Sequence, residues 1–219
     1  MPQDAPFSRE NPSPRFRALV EMYRRMHEEG EQTHGIAASE TFDGRSLVPH
    51  TLTIRDLVAK LRAKTLLDYG AGKGTLYKMR NLKTPTGEVF PDLRHYWNLD
   101  AITLYDPGYA PYSAYPSGRF DAVICTDVLE HIPEEDIPWT LGELFGFADK
   151  FVFTTIAGYP AGKIMPNGEN AHCTLQPIEW WKAQMNAARA AAGRSLPWFA
   201  LYIGPSPDGK TLQTTPIQG

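Results

Sequence analysis

Four stretches of this sequence hold residue types that can do chemistry. The first is Asp68-Tyr69-Gly70-Ala71-Gly72-Lys73-Gly74, a carboxylate followed by three glycines at alternate positions. Residues without a Cβ let a backbone come close to a ligand, and the N–H groups of a helix that starts just beyond would face it. The second is Asp106, which closes the apolar run Ile102-Thr103-Leu104-Tyr105. A carboxylate accepts two hydroxyl donors at once, with a charge that an amide lacks. The third is Asp127-Val128-Leu129-Glu130-His131, and the fourth is His172 in a polar loop. Imidazole titrates near neutrality, so His131 and His172 are the candidate catalytic bases. Asp127 and His172 are of a type that could bind a divalent ion, but no tight ligand spacing joins them, and Cys125 and Cys173 match no metal or redox spacing. No metal is expected.

The elements that must position these residues follow from apolar periodicity. Phe16, Leu19, Val20, Tyr23 and Met26 recur at helical steps, which predicts a helix from Pro14 to Glu29 with Gly30 as its stop. Its stripe reads as a docking face, behind a loose proline-rich arm over 1–14. Residues 31–50 form a long loop with polar, aromatic and titratable groups, and loops of that length are often functional. A helix over Thr53–Ala63 leads into a strand ending at the glycine turn, and Thr75 to Met79 restarts as a helix. Further strands are expected at 101–105, 120–125, 151–156 and 198–203, with a short one at 211–214. Helices are expected over Ile137–Ala148 and Glu179–Ala192. An insertion of undisclosed role lies at 81–98, and the proline-broken stretch 109–118 leaves room only for a short or distorted strand. The alternation predicts a twisted, mostly parallel α/β sheet of about seven strands with helices on both faces. Strand 65–69 should be central, between 101–105 and 120–125. Residues 1–50 read as arm, helix and covering loop, and 51–219 as the main domain.

Composition narrows the function. The chain has 219 residues, 42% of them hydrophobic, a formal charge of −3 and a pI near 6.1. Such a balance gives no global electrostatic reason to bind nucleic acid. No apolar run approaches the roughly 18–20 residues needed to cross a bilayer. The start of the sequence is polar and proline-rich rather than a signal-peptide core, so a cytoplasmic protein is expected.

A dinucleotide fingerprint would need glycine at position 75, where Thr75 stands. The pattern Asp68-x-Gly70-x-Gly72-x-Gly74 instead resembles motif I of the class I S-adenosylmethionine-dependent methyltransferases. The run from Phe120 to Pro133, with Val128-Leu129-Glu130-His131, resembles the fourth-strand motif of the same family. The resemblance spans about residues 50–205 and is strongest at 65–77 and 119–133. It implies a Rossmann-like, doubly wound, seven-stranded sheet and S-adenosyl-L-methionine as cofactor. It further implies Asp68 near the cofactor's methionine amino end, Gly70, Gly72 and Gly74 admitting its carboxypropyl and ribose portions, and Asp106 on the ribose hydroxyls. Asp127, at the carboxyl end of its strand, joins this cofactor set.

Two departures stand out. Asp106 lies further from Gly74 than is usual in the family. No acidic residue lies between Asp106 and Asp121 to hold the adenine amino group, which leaves that contact to backbone or aromatic packing. Tyr105-Asp106-Pro107, with Asn170-Ala171-His172 before Trp180-Trp181, resembles an uncharacterised bacterial and phage branch that suggests no substrate.

The expected function is methyl transfer to a small polar acceptor, a metabolite or saccharide. A non-catalytic cofactor- or partner-binding module is the alternative. Nucleic-acid methylation lacks both a basic stripe and the Asn/Asp-Pro-Pro-aromatic signature, because Asp127-Val128-Leu129 stands in that place. Acceptor recognition is expected from loop 31–50, the Asp127–His131 turn and loop 157–174. The loops bring His34, Tyr159, Asn170 and His172, while Trp180 and Trp181 read as core.

Overall fold

In the computed structural model, which describes residues 6–219, the apolar run Thr65–Tyr69 forms strand β1, flanked as expected but second from one edge of a six-stranded sheet rather than at its centre. β4 (Ala101–Tyr105) pairs with one side of β1 and β5 (Phe120–Thr126) with the other, both in parallel. Beyond β5 lie β6 (Ala148–Ala157) and β7 (Trp198–Pro205), also parallel, and then β8 (Leu212–Gln218), antiparallel at the edge. The order is thus β4-β1-β5-β6-β7-β8.

Strand side chains alternate between faces, and here both faces are apolar. Leu66, Ile124 and Phe153 pack with Ile54 and Val58 of helix α2 (Thr51–Leu61). Their neighbours Leu67, Val123 and Val152 pack on the other face with Leu141 and Leu144 of α5 (Ile137–Phe147) and with Trp181 and Met185 of α6 (Ile178–Ala191). Two buried layers of this kind define a doubly wound α/β sheet. No helix of the described residues is long and apolar enough to cross a membrane.

Helix α1 runs from Pro14 to Glu29, the range that the periodicity predicts. Ser13 caps it through Oγ on the Phe16 amide, and its own amide donates to buried Asp136. α1 then packs through Leu19 and Met26 against Met165 and Ala171 of the loop after β6. Of the arm expected over 1–14, residues 1–5 lie outside the described residues.

The expectation of a single seven-stranded sheet is corrected. Between β4 and β5 there is no strand: the chain makes a 3-10 turn at Ala110–Tyr112, and Pro107, Pro111 and Pro116 each withhold the N–H that a ladder needs. The insertion at 81–98 supplies a separate hairpin, β2 (Leu82–Lys83) with β3 (Val89–Phe90), and the single-turn helix α4 (Leu93–Tyr96). Trp97 behind α4 is buried and its Nε1 donates to the Thr51 carbonyl at 2.9 Å, so the insertion buttresses α2. The helix expected after the glycine turn is likewise one turn, α3 (Thr75–Lys78), ending where Met79 turns extended.

Candidate active site

Where the chain winds one way from β1 to β4 and the other way to β5, the carboxyl ends of the strands leave a crevice. A cavity of about 520 Å³ occupies it, a size that suits a small-molecule ligand. Gly70, Ala71 and Gly72 form its floor, with Asp106 on one side and Thr126–Val128 on the other. Three pieces of chain cover it: α1 through Tyr23 and His27, the loop through Phe42–Ser46, and the loop after β6 through Tyr159, Lys163 and His172.

The glycines are required, but by protein atoms. Gly70, Gly72 and Gly74 have φ of +86°, +56° and +57°. A Cβ would stand 2.4 Å from a Val128 methyl at Gly70, 2.4 Å from the Phe42 carbonyl oxygen at Gly72, and 2.8 Å from Leu104 at Gly74. The turn's amides are also engaged internally. Gly70 and Ala71 donate to the Tyr105 carbonyl, Lys73 to Phe42 and Thr75 to Asp43. The glycine turn therefore seats the covering loop and closes β1 onto β4, rather than offering free amides at the mouth of a long helix.

Asp68 lies beneath this turn, 3% exposed, and does not line the main cavity. It borders a chamber of about 10 Å³, room for one water at most. Tyr77 of α3 donates to its Oδ2 at 2.7 Å, and Oδ1 has no protein partner. Burial raises its pKa to about 7; the Tyr77 hydroxyl works against this and the Asp106 charge adds to it, while the Cys125 thiol also faces it from β5. A carboxyl raised from 3.8 binds its proton more tightly folded than unfolded, so it lowers stability as pH climbs from about 4 to about 7. Asp68→Asn removes that penalty. Its stability relative to the parent is expected to rise between pH 5 and pH 8 by roughly 1–4 kcal/mol, read from denaturant melts. A difference that shrinks over that range would mean that the fold favours ionised Asp68.

Asp106 faces the cavity with a fixed carboxylate. Its Oδ2 accepts the Gly72 amide at 2.8 Å and its Oδ1 the Gly108 amide at 2.9 Å. Burial raises its pKa, and those amides oppose the rise.

Across the cavity, Asp127 follows β5 and adopts φ +60° while its amide donates to Thr155 Oγ1. The next turn is pinned by Glu130, which is fully buried. Its Oε1 accepts the Ala157 amide at 2.6 Å, and its carbonyl accepts the amides of Cys173 and Thr174. Glu130 thus fastens the loop after β6 to the Asp127–His131 turn. Burial, with the Asp127 charge adding to it, pushes its pKa upward.

That fastening brings His172 to His131. Their rings lie 4.7 Å apart and nearly perpendicular. His131 Nδ1 sits 3.0 Å from the Ala171 carbonyl and 2.9 Å from the Tyr23 hydroxyl, which itself donates to Ala171. A carbonyl only accepts, so Nδ1 carries the proton. His172 Nδ1 faces the Tyr159 carbonyl at 2.6 Å and carries its proton for the same reason. Burial pushes the His131 pKa down to about 4, so the ring is neutral near pH 7. One ligand-type atom from each of Asp127, His131 and His172 lies within 4.8 Å of the other two.

No protein-family model matches the sequence, and no curated protein resembles it in sequence. Among solved structures the chain is similar to an O-methyltransferase family protein from Burkholderia thailandensis. Identity is 15% and the TM-score 0.44, over 92% of this chain and 66% of that one. So loose a likeness carries nothing about chemistry, which has to come from the site itself.

The cavity joins Gly70, Gly72, Asp106, Asp127, His131 and His172 and leaves out Asp68 and Gly74. Other loop residues expected near an acceptor also fall outside it. His34 sits beside Glu31, and Asn170 brackets both the amide and the carbonyl of Ala161. Trp181 is core, and neither it nor Trp180 reaches the cavity. The N-terminal helix and loop were expected to cover the site, but sequence reasoning missed the polar groups that α1 brings to it. Tyr23 orients His131, and His27 lies 3.0 Å from the Lys73 ammonium, which also binds the Thr41 carbonyl. Tyr23 and His27, four residues apart on the apolar stripe, were the available signal. Arg9 of the arm pairs with Glu143 and donates to the hydroxyls of Tyr69 and Tyr105.

Proposed function

We propose that the protein is an S-adenosylmethionine-dependent methyltransferase acting in the cytoplasm on a small polar acceptor, a metabolite or saccharide, at oxygen or nitrogen. One observation carries this reading. The glycine turn with Asp106 and the Asp127–His131 turn, two motifs far apart in the chain, wall a single cavity of about 520 Å³ at the sheet's switch point. The fit to the cofactor is supported by Asp106, whose oxygens are held by two amides and keep lone pairs for ribose hydroxyls. Gly70–Gly72 contribute a floor without side chains. Asp68 fits less directly: it is buried under the turn, bonded to Tyr77 of α3, and does not line the cavity.

When bound, the cofactor supplies a methyl already activated on a sulfonium, so the protein's main task is orientation. Phe42, Tyr23 and His172 line the covering side of the cavity. His131 and His172, each with Nδ1 committed to a carbonyl, present Nε2 as the ring atom that can take a proton from an acceptor hydroxyl.

Calorimetry tests this reading. Asp106→Ala is expected to weaken S-adenosylmethionine by about 10- to 150-fold, equivalent to roughly 1.5–3 kcal/mol for hydrogen bonds to a charged group. Tight NAD binding with none of S-adenosylmethionine would overturn it. The second reading, a binding module without chemistry, draws on the internally satisfied amides of the glycine turn. Methyl transfer from labelled cofactor to any member of a metabolite panel would exclude it.

A further inference from the structure

The cluster at the end of β5 holds two imidazoles and a carboxylate with their ligand-type atoms mutually within 4.8 Å. Metal–nitrogen and metal–oxygen bonds near 2.0–2.2 Å set tetrahedral ligand atoms about 3.5 Å apart, so the three side chains would close on the ion by up to about an ångström. A second, independent feature is the outer layer. His131 and His172 each direct Nδ1–H to a backbone carbonyl, of Ala171 and Tyr159. This arrangement fixes the tautomer and ring orientation of metal-binding histidines and leaves Nε2 as the donor each ring can offer. Tyr23 reinforces it by bonding both His131 and Ala171.

We propose that Asp127, His131 and His172 bind one divalent transition-metal ion. Two imidazoles and one carboxylate suit zinc, iron, cobalt or manganese better than calcium or magnesium, which favour all-oxygen shells. Three protein ligands leave coordination positions open, as in catalytic rather than structural sites. All three residues line the cavity, so the open positions take water or an acceptor oxygen there. That assignment of the acceptor oxygen rests on the methyltransferase reading; the binding of the metal does not.

The test uses the full chain, freed of metal by chelation and without cofactor or acceptor. Cobalt(II) is titrated while its visible absorption is followed, and zinc binding is measured by calorimetry. One ion per chain is expected. Asp127→Ala, His131→Ala and His172→Ala should each weaken binding at least tenfold. His34→Ala and His95→Ala, each removing a histidine beside a lone carboxylate, should leave it unchanged. Asp127→Asn guards against misfolding, since this side chain is exposed, and a parent-like melt with binding lost keeps the result interpretable. Neither metal binding at one per chain, or equal binding after all three replacements, would overturn the proposal. S-adenosylmethionine is titrated separately, so loss of the cofactor reading and loss of the metal site give different results.

Discussion

Gly72→Val is expected to destabilise the protein by roughly 3–5 kcal/mol and to release the loop that covers the cavity. The figure is the middle of the range spanned by two terms, about 1–3 kcal/mol for a non-glycine residue in left-handed backbone and about 1–3 kcal/mol for overpacking. The added Cβ at φ +56° would stand 2.4 Å from the Phe42 carbonyl oxygen, and Phe42 is held there by the Lys73 amide at 2.8 Å. Backbone meets backbone, so no rotamer change relieves the contact; the loop has to move. Gly35 isolates the two terms. It has φ +66° with nothing within 4 Å of a Cβ, so Gly35→Ala reports conformational strain alone. Gly72→Ala should therefore cost more than Gly35→Ala, and Gly72→Val more again, in denaturant melts. Proteolysis should open first within residues 31–50. A Gly72→Val melt within about 1 kcal/mol of the parent would show that the covering loop is not seated on this turn.

This corrects the reason for the glycine while leaving the need for one, and the same split runs through the molecule. Residues 65–69 and 120–126 were legible as strands because buried parallel strands are continuous apolar runs. α1 was legible to its ends because Pro14 follows a Ser13 cap and Gly30 stops a regular stripe. β8 was read as four residues and has seven. Only Ile217 of it is buried, and an edge strand held by main-chain bonds to β7 needs no apolar pattern and tolerates Pro216. The bond between Tyr23 and His131 and the contact of Phe42 with Gly72 join residues far apart in sequence, where no local pattern reports them. The triad of Asp127, His131 and His172 was half legible. Two members share one turn, but the third arrives only because buried Glu130 fastens both strands of the connection, and its residue type alone does not announce that.

His172→Ala is expected to lower turnover by roughly 10²- to 10⁴-fold while changing S-adenosylmethionine affinity by less than about threefold. The loss follows from position. His172 is 7% exposed, its ring is anchored to the Tyr159 carbonyl, and its amide is held by Asn170, so it reaches the cavity in one orientation. It shares the cavity lining with Asp106 but clusters with Asp127 and His131, and so is expected to act on the acceptor rather than on the ribose. Two roles predict the same drop in rate. As a general base, His172 removes the acceptor proton, and added imidazole should restore part of the rate at unchanged metal content. As a metal ligand, it holds the ion that orients the acceptor oxygen, and the variant should lose cobalt together with activity. His131→Ala then distinguishes them. It should copy His172→Ala in both metal content and rate if the two rings share an ion, and keep the metal if His172 works alone. The assay uses whichever acceptor a labelled-methyl screen returns, with melts recorded for each variant. Turnover of His172→Ala within about threefold of the parent, with melting unchanged, would remove His172 from the chemistry. Its place against His131 would then be packing, and methyl transfer would proceed by orientation alone, as it can for an acceptor that has no proton to lose early.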